Sequence, residues 1–190
     1  FIKKVIDPKS ILDVYYDYRQ TVYQHATYGL RLTAQPYANL KVGATYLDDS
    51  DSLAGAADIR ASMSQEAVDP QGHYVIGADG SLVSDTLTAN GEIAYSRKNL
   101  NLLSAGGSEE AGKAAKLDLS TQFGPFGLTA RGKRVGAKFA PIADPDPKQD
   151  ITEYGAGLSF RPGSLFGAQG NYDRNKYTQS GVVYENSNRS

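Results

Sequence analysis

The chain has 190 residues, 40% of them hydrophobic, which is enough to bury one core. Its 20 Lys and Arg nearly balance its 21 Asp and Glu, so no overall positive field favours nucleic acid as a partner. The absence of Cys excludes disulfides and thiolate metal sites. With 20 Gly, 13 Tyr and no Trp, the composition favours strands and turns over helices, and we expect an all-β protein.

Alternating apolar and polar residues predict strands along most of the chain. In chain order the predicted strands are residues 11–19, 26–34, 40–47, 56–63, 86–96, 114–123, 127–137, 150–160 and 165–177. Residues 64–85 contain an Asp79-Gly80 pair between apolar runs, which predicts a small inserted hairpin. Residues 178–190 are predicted to be a polar C-terminal tail, with a short apolar run at 182–184. The whole of 1–190 is treated as a single domain or a fragment of one.

The predicted connections are of two kinds. The short ones contain Pro or Gly and are residues 35–39, 124–126 and 161–164. The long ones are polar and are residues 48–55, 97–113 and 138–149. Consecutive connections of an antiparallel meander fall at opposite ends of the sheet. The alternation therefore predicts an up-and-down meander with short turns at one end, where the inserted hairpin also projects, and long loops at the other.

The apolar face of the predicted strands is ordered along its length. Phenylalanine lies beside the short turns, tyrosine lies toward the long loops, and aliphatic residues lie between them. This order is typical of a lipid-facing band, because aromatic rings favour the headgroup levels of a membrane. The predicted membrane-interface aromatic residues are Tyr28, Tyr46, Tyr95, Phe123, Phe126, Tyr154, Phe160, Phe166 and Tyr172.

The opposite face is rich in glycine and charge, and such a surface cannot form a dry core. In a wide lumen its excess of basic residues would give a mild anion preference, whereas in a narrow barrel the charges would pair and close the interior. Both alternatives remain open from the sequence. The predicted lumen-facing charges are Arg31, Lys41, Arg60, Glu92, Lys116, Asp118, Arg131, Lys133, Glu153, Arg161 and Asp173.

Two hairpins have a recognisable pattern. One is Tyr28-Gly-Leu-Arg-Leu-Thr-Ala with Leu40-Lys-Val-Gly-Ala-Thr-Tyr, and the other is Tyr154-Gly-Ala-Gly-Leu-Ser-Phe with Phe166-Gly-Ala-Gln-Gly-Asn-Tyr. They resemble the outer-membrane β-barrels of Gram-negative bacteria, a porin-like architecture rather than one particular family. The resemblance implies a transmembrane protein of the outer membrane, surrounded by its lipids. It also implies passive diffusion of small solutes or a structural role in a cell-envelope assembly.

Three features depart from the pattern of a complete barrel. Tyr154 and Phe160 are only about 20 Å apart along their strand, whereas a barrel strand needs ~9–11 tilted residues. The predicted strand count is odd, although single-chain bacterial barrels usually have an even number. The last predicted strand runs toward the long loops, and no terminal aromatic residue follows it. We therefore expect part of a larger barrel, completed by further strands or by other subunits of an envelope complex.

The alternative is a soluble antiparallel β-barrel or sandwich that binds a ligand or a protein partner. In that fold the apolar faces point into a core and the charged faces point into water. Strands with two unlike faces do not exclude it by themselves. The order of aromatic residues and the alternation of loop lengths favour the membrane barrel.

We expect no enzyme, no cofactor and no metal. His25 and His73 are the two histidines, and Asp17 is a carboxylate that could approach His25 across the first predicted hairpin. No serine lies in a recognisable nucleophile motif, which a hydrolase of this kind would need. Residues 48–51 and 144–147 contain carboxylates that suit calcium, but they lack the Gly and the distal Glu of a helical calcium loop. We expect solvated polar loops at both places.

Overall fold

The protein is represented by a computed structural model that describes residues 23–62, 69–104, 109–142, 149–179 and 181–189. These residues form one sheet of nine strands, in sequence order and with every neighbouring pair antiparallel. The predicted all-β meander is thereby confirmed. The elements are β1 (His25–Tyr37), β2 (Leu40–Asp51), α1 (Ala56–Ser62), β3 (Gly72–Val83), β4 (Leu87–Asn99), β5 (Glu109–Phe123), β6 (Phe126–Val135), β7 (Gln149–Phe160), β8 (Ala168–Gln179) and β9 (Val182–Arg189).

The strands are long. Seven of the nine have 12 to 15 residues, compared with a usual strand of about 5–6. They extend into stretches that we had predicted as loops, so that β2 continues to Asp51 and β5 begins at Glu109. A strand of this length reaches about 40 Å when untilted. The sheet is therefore tall enough for its two ends to lie in different surroundings.

Two predictions for the interior of the chain are wrong. Residues 56–62 form α1 instead of a strand. Their apolar residues fit the period of a helix as well as that of a strand, and alanine has the highest helix propensity. Residues 72–83 form the single strand β3, so the inserted hairpin at 64–85 is not found in its described part. Asp79 and Gly80 lie inside that strand, because ladders to β2 and β4 hold both sides of it. The two neighbouring strands override the local turn signal.

The C-terminal region also differs from the prediction. The described part of residues 178–190 is not a polar tail, because β8 continues to Gln179 and residues 182–189 form β9. The connection between them turns at Gly181, whose φ of 78° favours glycine. The connection from β7 to β8 covers 161–167, which places Phe166 just outside the strand. The predicted strand at 11–19 lies outside the described residues.

The two ends of the sheet differ as predicted, with one exception. The connections at the short-turn end are residues 38–39, 84–86, 124–125 and 161–167. Those at the opposite end, here called the long-loop end, are residues 52–71, 100–108, 136–148 and 180–181. The last of these is short. Among the described strands, β1 and β9 are unpaired with each other, so the sheet is open, and both run from the long-loop end to the short-turn end.

The buried hydrophobic side chains lie near the long-loop end of the sheet. Among the described residues, the buried hydrophobic side chains are Tyr23, Ala56, Val135 and Ile151. By contrast, Ile93 is 64% exposed and Leu158 is 57% exposed in the middle of their strands. A sheet normally buries its apolar face against a second layer of protein. Within the described part of the chain, no such layer covers this face.

Candidate functional site

Tyrosine side chains form a level across the apolar face, toward the long-loop end. The ring centroids of Tyr46 and Tyr74 are 6.5 Å apart, and those of Tyr74 and Tyr95 are 6.2 Å apart. Farther along the same face, on β7 and β8, the ring centroids of Tyr154 and Tyr172 are 6.2 Å apart. Such ring pairs stabilise neighbouring strands. Sequence analysis missed Tyr74, because it fell within the predicted inserted hairpin.

The tyrosine hydroxyl groups meet polar partners. Tyr46 donates to Asp48 Oδ2 at 3.0 Å, and the Tyr154 hydroxyl accepts from Arg174 Nη1 at 3.1 Å. Each ring thus has an apolar body on the face and a polar tip in contact with charge. Amphipathic rings of this kind suit a boundary between apolar and aqueous surroundings.

Phenylalanine side chains form the second aromatic level, at the short-turn end. The rings of Phe126 and Phe160 are 4.8 Å apart, and Phe123 is the register partner of Phe126. Phe123 is 81% exposed and Phe166, in the neighbouring connection, is 64% exposed. Large apolar rings are therefore presented outward at both ends of the apolar face.

Ion pairs occupy the middle of the opposite face, here called the polar face. Most of the predicted charges meet partners there. The closest N–O distances are 2.8 Å for Arg31 and Asp79, 2.9 Å for Lys116 and Asp118, 2.7 Å for Arg131 and Asp173, and 4.0 Å for Lys133 and Glu153. Asp79 was missed because its dipeptide with Gly80 indicated a turn.

The remaining predicted charges have different positions. Glu92 lies opposite Lys116 in the register of β4 and β5, and Lys41 lies opposite Ser81. Arg161 lies in the connection after β7, at the short-turn end. Arg60 belongs to α1 and not to a strand, so its assignment to the strand face was wrong.

Two of the ion pairs cross an intervening strand above a glycine. Arg31 on β1 reaches Asp79 on β3 across Gly43, and a Cβ at Gly43 would lie 2.7 Å from Asp79 Oδ1. Arg131 on β6 reaches Asp173 on β8 across a glycine of β7 in the same way. Neither glycine has a positive φ, so the backbone conformation does not require glycine there. A side chain at either position would instead occupy the space through which the ion pair crosses.

The charged rows line three adjoining recesses of the polar face, with volumes of about 300, 320 and 220 Å³. Asp118 lines all three. The paired side chains are between 35% and 62% exposed, so solvent reaches them. Exposed pairs of this kind contribute only about 0–1 kcal/mol each to stability. The polar face is thus wet and nearly neutral in charge.

A histidine between two carboxylates lies at the long-loop end of the same face. His25 Nδ1 is 3.0 Å from Asp51 Oδ1, and Nε2 is 2.8 Å from Asp49 Oδ1. Each ring nitrogen faces a carboxylate oxygen, an arrangement that favours the protonated imidazolium, in which both nitrogens are donors. Burial opposes its charge, but the hydrogen bonds to Asp51 and Asp49 outweigh burial and raise the pKa of His25.

The carboxylates of residues 48–51 are engaged within the protein. Asp51 Oδ2 accepts from the backbone N–H of Gln71 at 2.8 Å, and Asp49 also accepts from the hydroxyl of Thr27. No group of three or more metal-ligating side chains occurs among the residues described. The calcium candidate at 144–147 and the carboxylate of Asp17 lie outside that part of the chain.

Residues 136–142, here called the cover segment, fold over the polar face after β6. Ala140 donates its backbone N–H to Ser96 Oγ on β4 at 3.0 Å, and Ser96 is only 1% exposed. The backbone of Ala140 also lies beside the side chain of His73 on β3, where it acts to raise the pKa of that ring against the larger effect of burial. Burial lowers the pKa of His73, which favours the neutral ring. The sequence predicts a long polar connection at 138–149 but does not indicate that its first residues lie over the polar face.

No family model, curated protein or solved structure matches this chain in comparisons with known proteins. Among the helices described, none has the length and apolar character needed to cross a membrane.

Proposed function

We propose that the chain forms the wall, or part of the wall, of a transmembrane β-barrel in the outer membrane of a Gram-negative-type bacterium. The barrel provides a passive pathway for small solutes. One observation carries the proposal: an apolar face with aromatic residues at both ends is exposed across the sheet and has no protein layer against it in the described residues.

The dimensions of this face support lipid as its surroundings. Tyr154 and Phe160 bound an apolar stretch of about 20 Å on β7, and the outward apolar band of such barrels is ~25 Å tall. Seven of the nine strands have 12 to 15 residues and so exceed the ~9–11 tilted residues required to span. Each aliphatic side chain that moves from water into lipid contributes about 1.5–3 kcal/mol.

The soluble alternative fits these observations poorly. A sandwich would need a second apolar layer against the face that carries Leu30, Ile93 and Leu158, and no described element supplies one. In water, a sheet with this much exposed apolar surface would associate with other molecules. Lipid accounts for the exposed face without any further protein.

The polar face provides the lining of the proposed pathway. Its recesses are wet and contain charges of both signs in close pairs, so we expect weak selectivity between anions and cations. This revises the mild anion preference inferred from the sequence. A closed barrel requires further strands at the two open edges, β1 and β9, because unpaired edges are not tolerated in lipid.

A second candidate is a structural component of an envelope assembly. The specific observation in its favour is the network of ion pairs, which would close a narrow interior. The two candidates differ in conductance, since only an open interior passes ions.

The test uses the full chain with any natural flanking sequence, extracted from membranes and reconstituted in a planar lipid bilayer. We expect extraction to require detergent and the bilayer to show discrete ion-current steps. Detergent-dependent protein without current would favour the structural role. Stable, monodisperse protein recovered without detergent would refute the membrane location and favour the soluble alternative.

A further inference from the structure

The polar face is crossed near its long-loop end by the cover segment, residues 136–142. The segment follows β6 but contacts the three preceding strands. Gly136 continues the β5 ladder by donating its N–H to Lys113 O at 2.9 Å. Phe139 then donates to Gly136 O at 3.1 Å, which closes a turn and directs the chain back across the sheet.

Gly112 on β5 makes room for this crossing. A Cβ at Gly112 would lie 2.2 Å from Phe139 N and 2.3 Å from Phe139 Cα, and the atoms it would meet are backbone atoms that cannot rotate away. Gly112 and Lys116 lie on the same face of β5, since their positions differ by an even number. The cover segment therefore lies on the charged side of the sheet.

The segment is fastened beyond β5. Its Ala140 N–H donates to Ser96 Oγ on β4, and the backbone of Ala140 lies beside the side chain of His73 on β3. His73 Nε2 is buried without a hydrogen-bond partner in the described structure. The crossing thus spans three strands, with a contact on each.

The cover segment lies between the long-loop end and the charged recesses of the polar face. Ser96 follows Tyr95, so the cover segment lies at the tyrosine level. The charged residues Lys116 and Asp118 lie below Gly112 toward the short-turn end, and they line the recesses. In a closed barrel, a solute that enters from the long-loop end would pass the cover segment before it reaches these recesses.

We propose that the cover segment is the constriction that limits the size of solutes entering the pathway from the long-loop end. This inference rests on the proposed function and assigns its size limit to a particular part of the chain. Gly112 and Ser96 are positioning residues, because they hold the segment in place without contacting the solute.

The first experiment tests the position of the segment independently of transport. The chain has no cysteine, so the double variant Ser96→Cys/Ala140→Cys contains a single possible intramolecular thiol pair. We expect a short bifunctional thiol reagent to join the two cysteines in the folded, detergent-solubilised protein. Ser120→Cys/Ala140→Cys is the matched control, since Ser120 lies toward the short-turn end of the same face. Equal cross-linking of both pairs, or none of the first, would overturn the proposed crossing.

The second experiment tests the effect on passage. Gly112→Val displaces the cover segment, and Gly132→Val is the control, because a Cβ at Gly132 meets nothing within 4 Å. Far-UV circular dichroism identifies variants that have folded. In liposome swelling with neutral sugars of increasing size, we expect Gly112→Val to raise the entry rate of the largest permeant sugar by at least threefold over Gly132→Val.

The outcomes separate this inference from the proposed function. Equal swelling of the two glycine variants, both permeable, would overturn the constriction and leave the pathway intact. Swelling by Gly112→Val alone would support a constriction tight enough to close the native protein. If no variant swells although Ser96→Cys/Ala140→Cys cross-links, the crossing is correct but both the constriction and the pathway are refuted. If Gly112→Val does not fold, Ser96→Ala replaces it with the same expected direction.

Discussion

The crossing of Arg131 and Asp173 above Gly155 gives the sharpest stability prediction. Arg131 Nη2 lies 2.7 Å from Asp173 Oδ1, and a Cβ at Gly155 would lie 2.1 Å from that oxygen and 2.9 Å from Arg131 Nε. Gly155→Ala therefore cannot keep both side chains in place. The glycine has no positive φ, so backbone strain adds nothing to the steric effect.

The magnitude follows from two contributions. Losing the exposed ion pair costs about 0.2–1 kcal/mol, and turning the flexible, exposed ends of the two side chains aside adds little. We expect Gly155→Ala to lower the free energy of unfolding by about 1 kcal/mol relative to the control. Gly132→Ala is the control, since its Cβ meets nothing within 4 Å and the replacement of glycine restricts the unfolded chain. It should be neutral or stabilise by up to ~1 kcal/mol.

The assay is urea unfolding of the protein folded in detergent micelles, followed by circular dichroism and repeated in the Asp173→Ala background. Removing the carboxylate removes the closest contact, so there Gly155→Ala should cost less than about 0.5 kcal/mol. Equal costs in the two backgrounds, or a Gly155→Ala cost no larger than that of Gly132→Ala, would refute the steric argument.

Three further predictions follow from the same structure. The pKa of His25 is higher in the folded protein than its value of about 6.5 in the unfolded chain. Its contribution to stability is therefore full below pH ~6.5 and is lost as pH rises through the folded pKa. Urea titrations at a series of pH values should show this loss, and His25→Ala should abolish it. On the apolar face, Leu119→Lys should make the free energy of folding into lipid vesicles less favourable by about 2–4 kcal/mol. On the polar face, Ser120→Lys should change it by less than ~1 kcal/mol. Equal effects would contradict the assignment of the faces. Phe160→Ala should make the free energy of folding in the same assay less favourable by about 1.5–3 kcal/mol, because lipid no longer takes up the ring and its contact with Phe126 is lost; a cost below ~1 kcal/mol would mean that these contacts contribute little.

The two faces of the sheet were predictable from sequence, because side chains alternate with period two wherever a strand is paired. Tyr154, Leu158 and Phe160 indicated the apolar face, and Arg131 and Lys133 indicated the polar face. These assignments depend only on local pattern, which is why they agree with the observed register.

What could not be predicted depends on residues distant in the chain. Asp79 and Gly80 form a turn signal in isolation, and only the ladders to β2 and β4 keep them extended. The contact between Ser96 and Ala140 joins residues 44 positions apart, and nothing in either local sequence indicates it. The space left by Gly112 acquires meaning only once the cover segment lies over it.

The central claim is that lipid surrounds the apolar face, and tryptophan fluorescence tests it most directly. The chain has no tryptophan, so Leu119→Trp and Ser120→Trp each introduce one reporter on opposite faces of β5. In vesicles that contain lipids brominated along the acyl chain, we predict a blue-shifted, strongly quenched emission from Leu119→Trp and little quenching from Ser120→Trp. Unquenched emission from Leu119→Trp in folded protein, or equal quenching at both positions, would contradict the account.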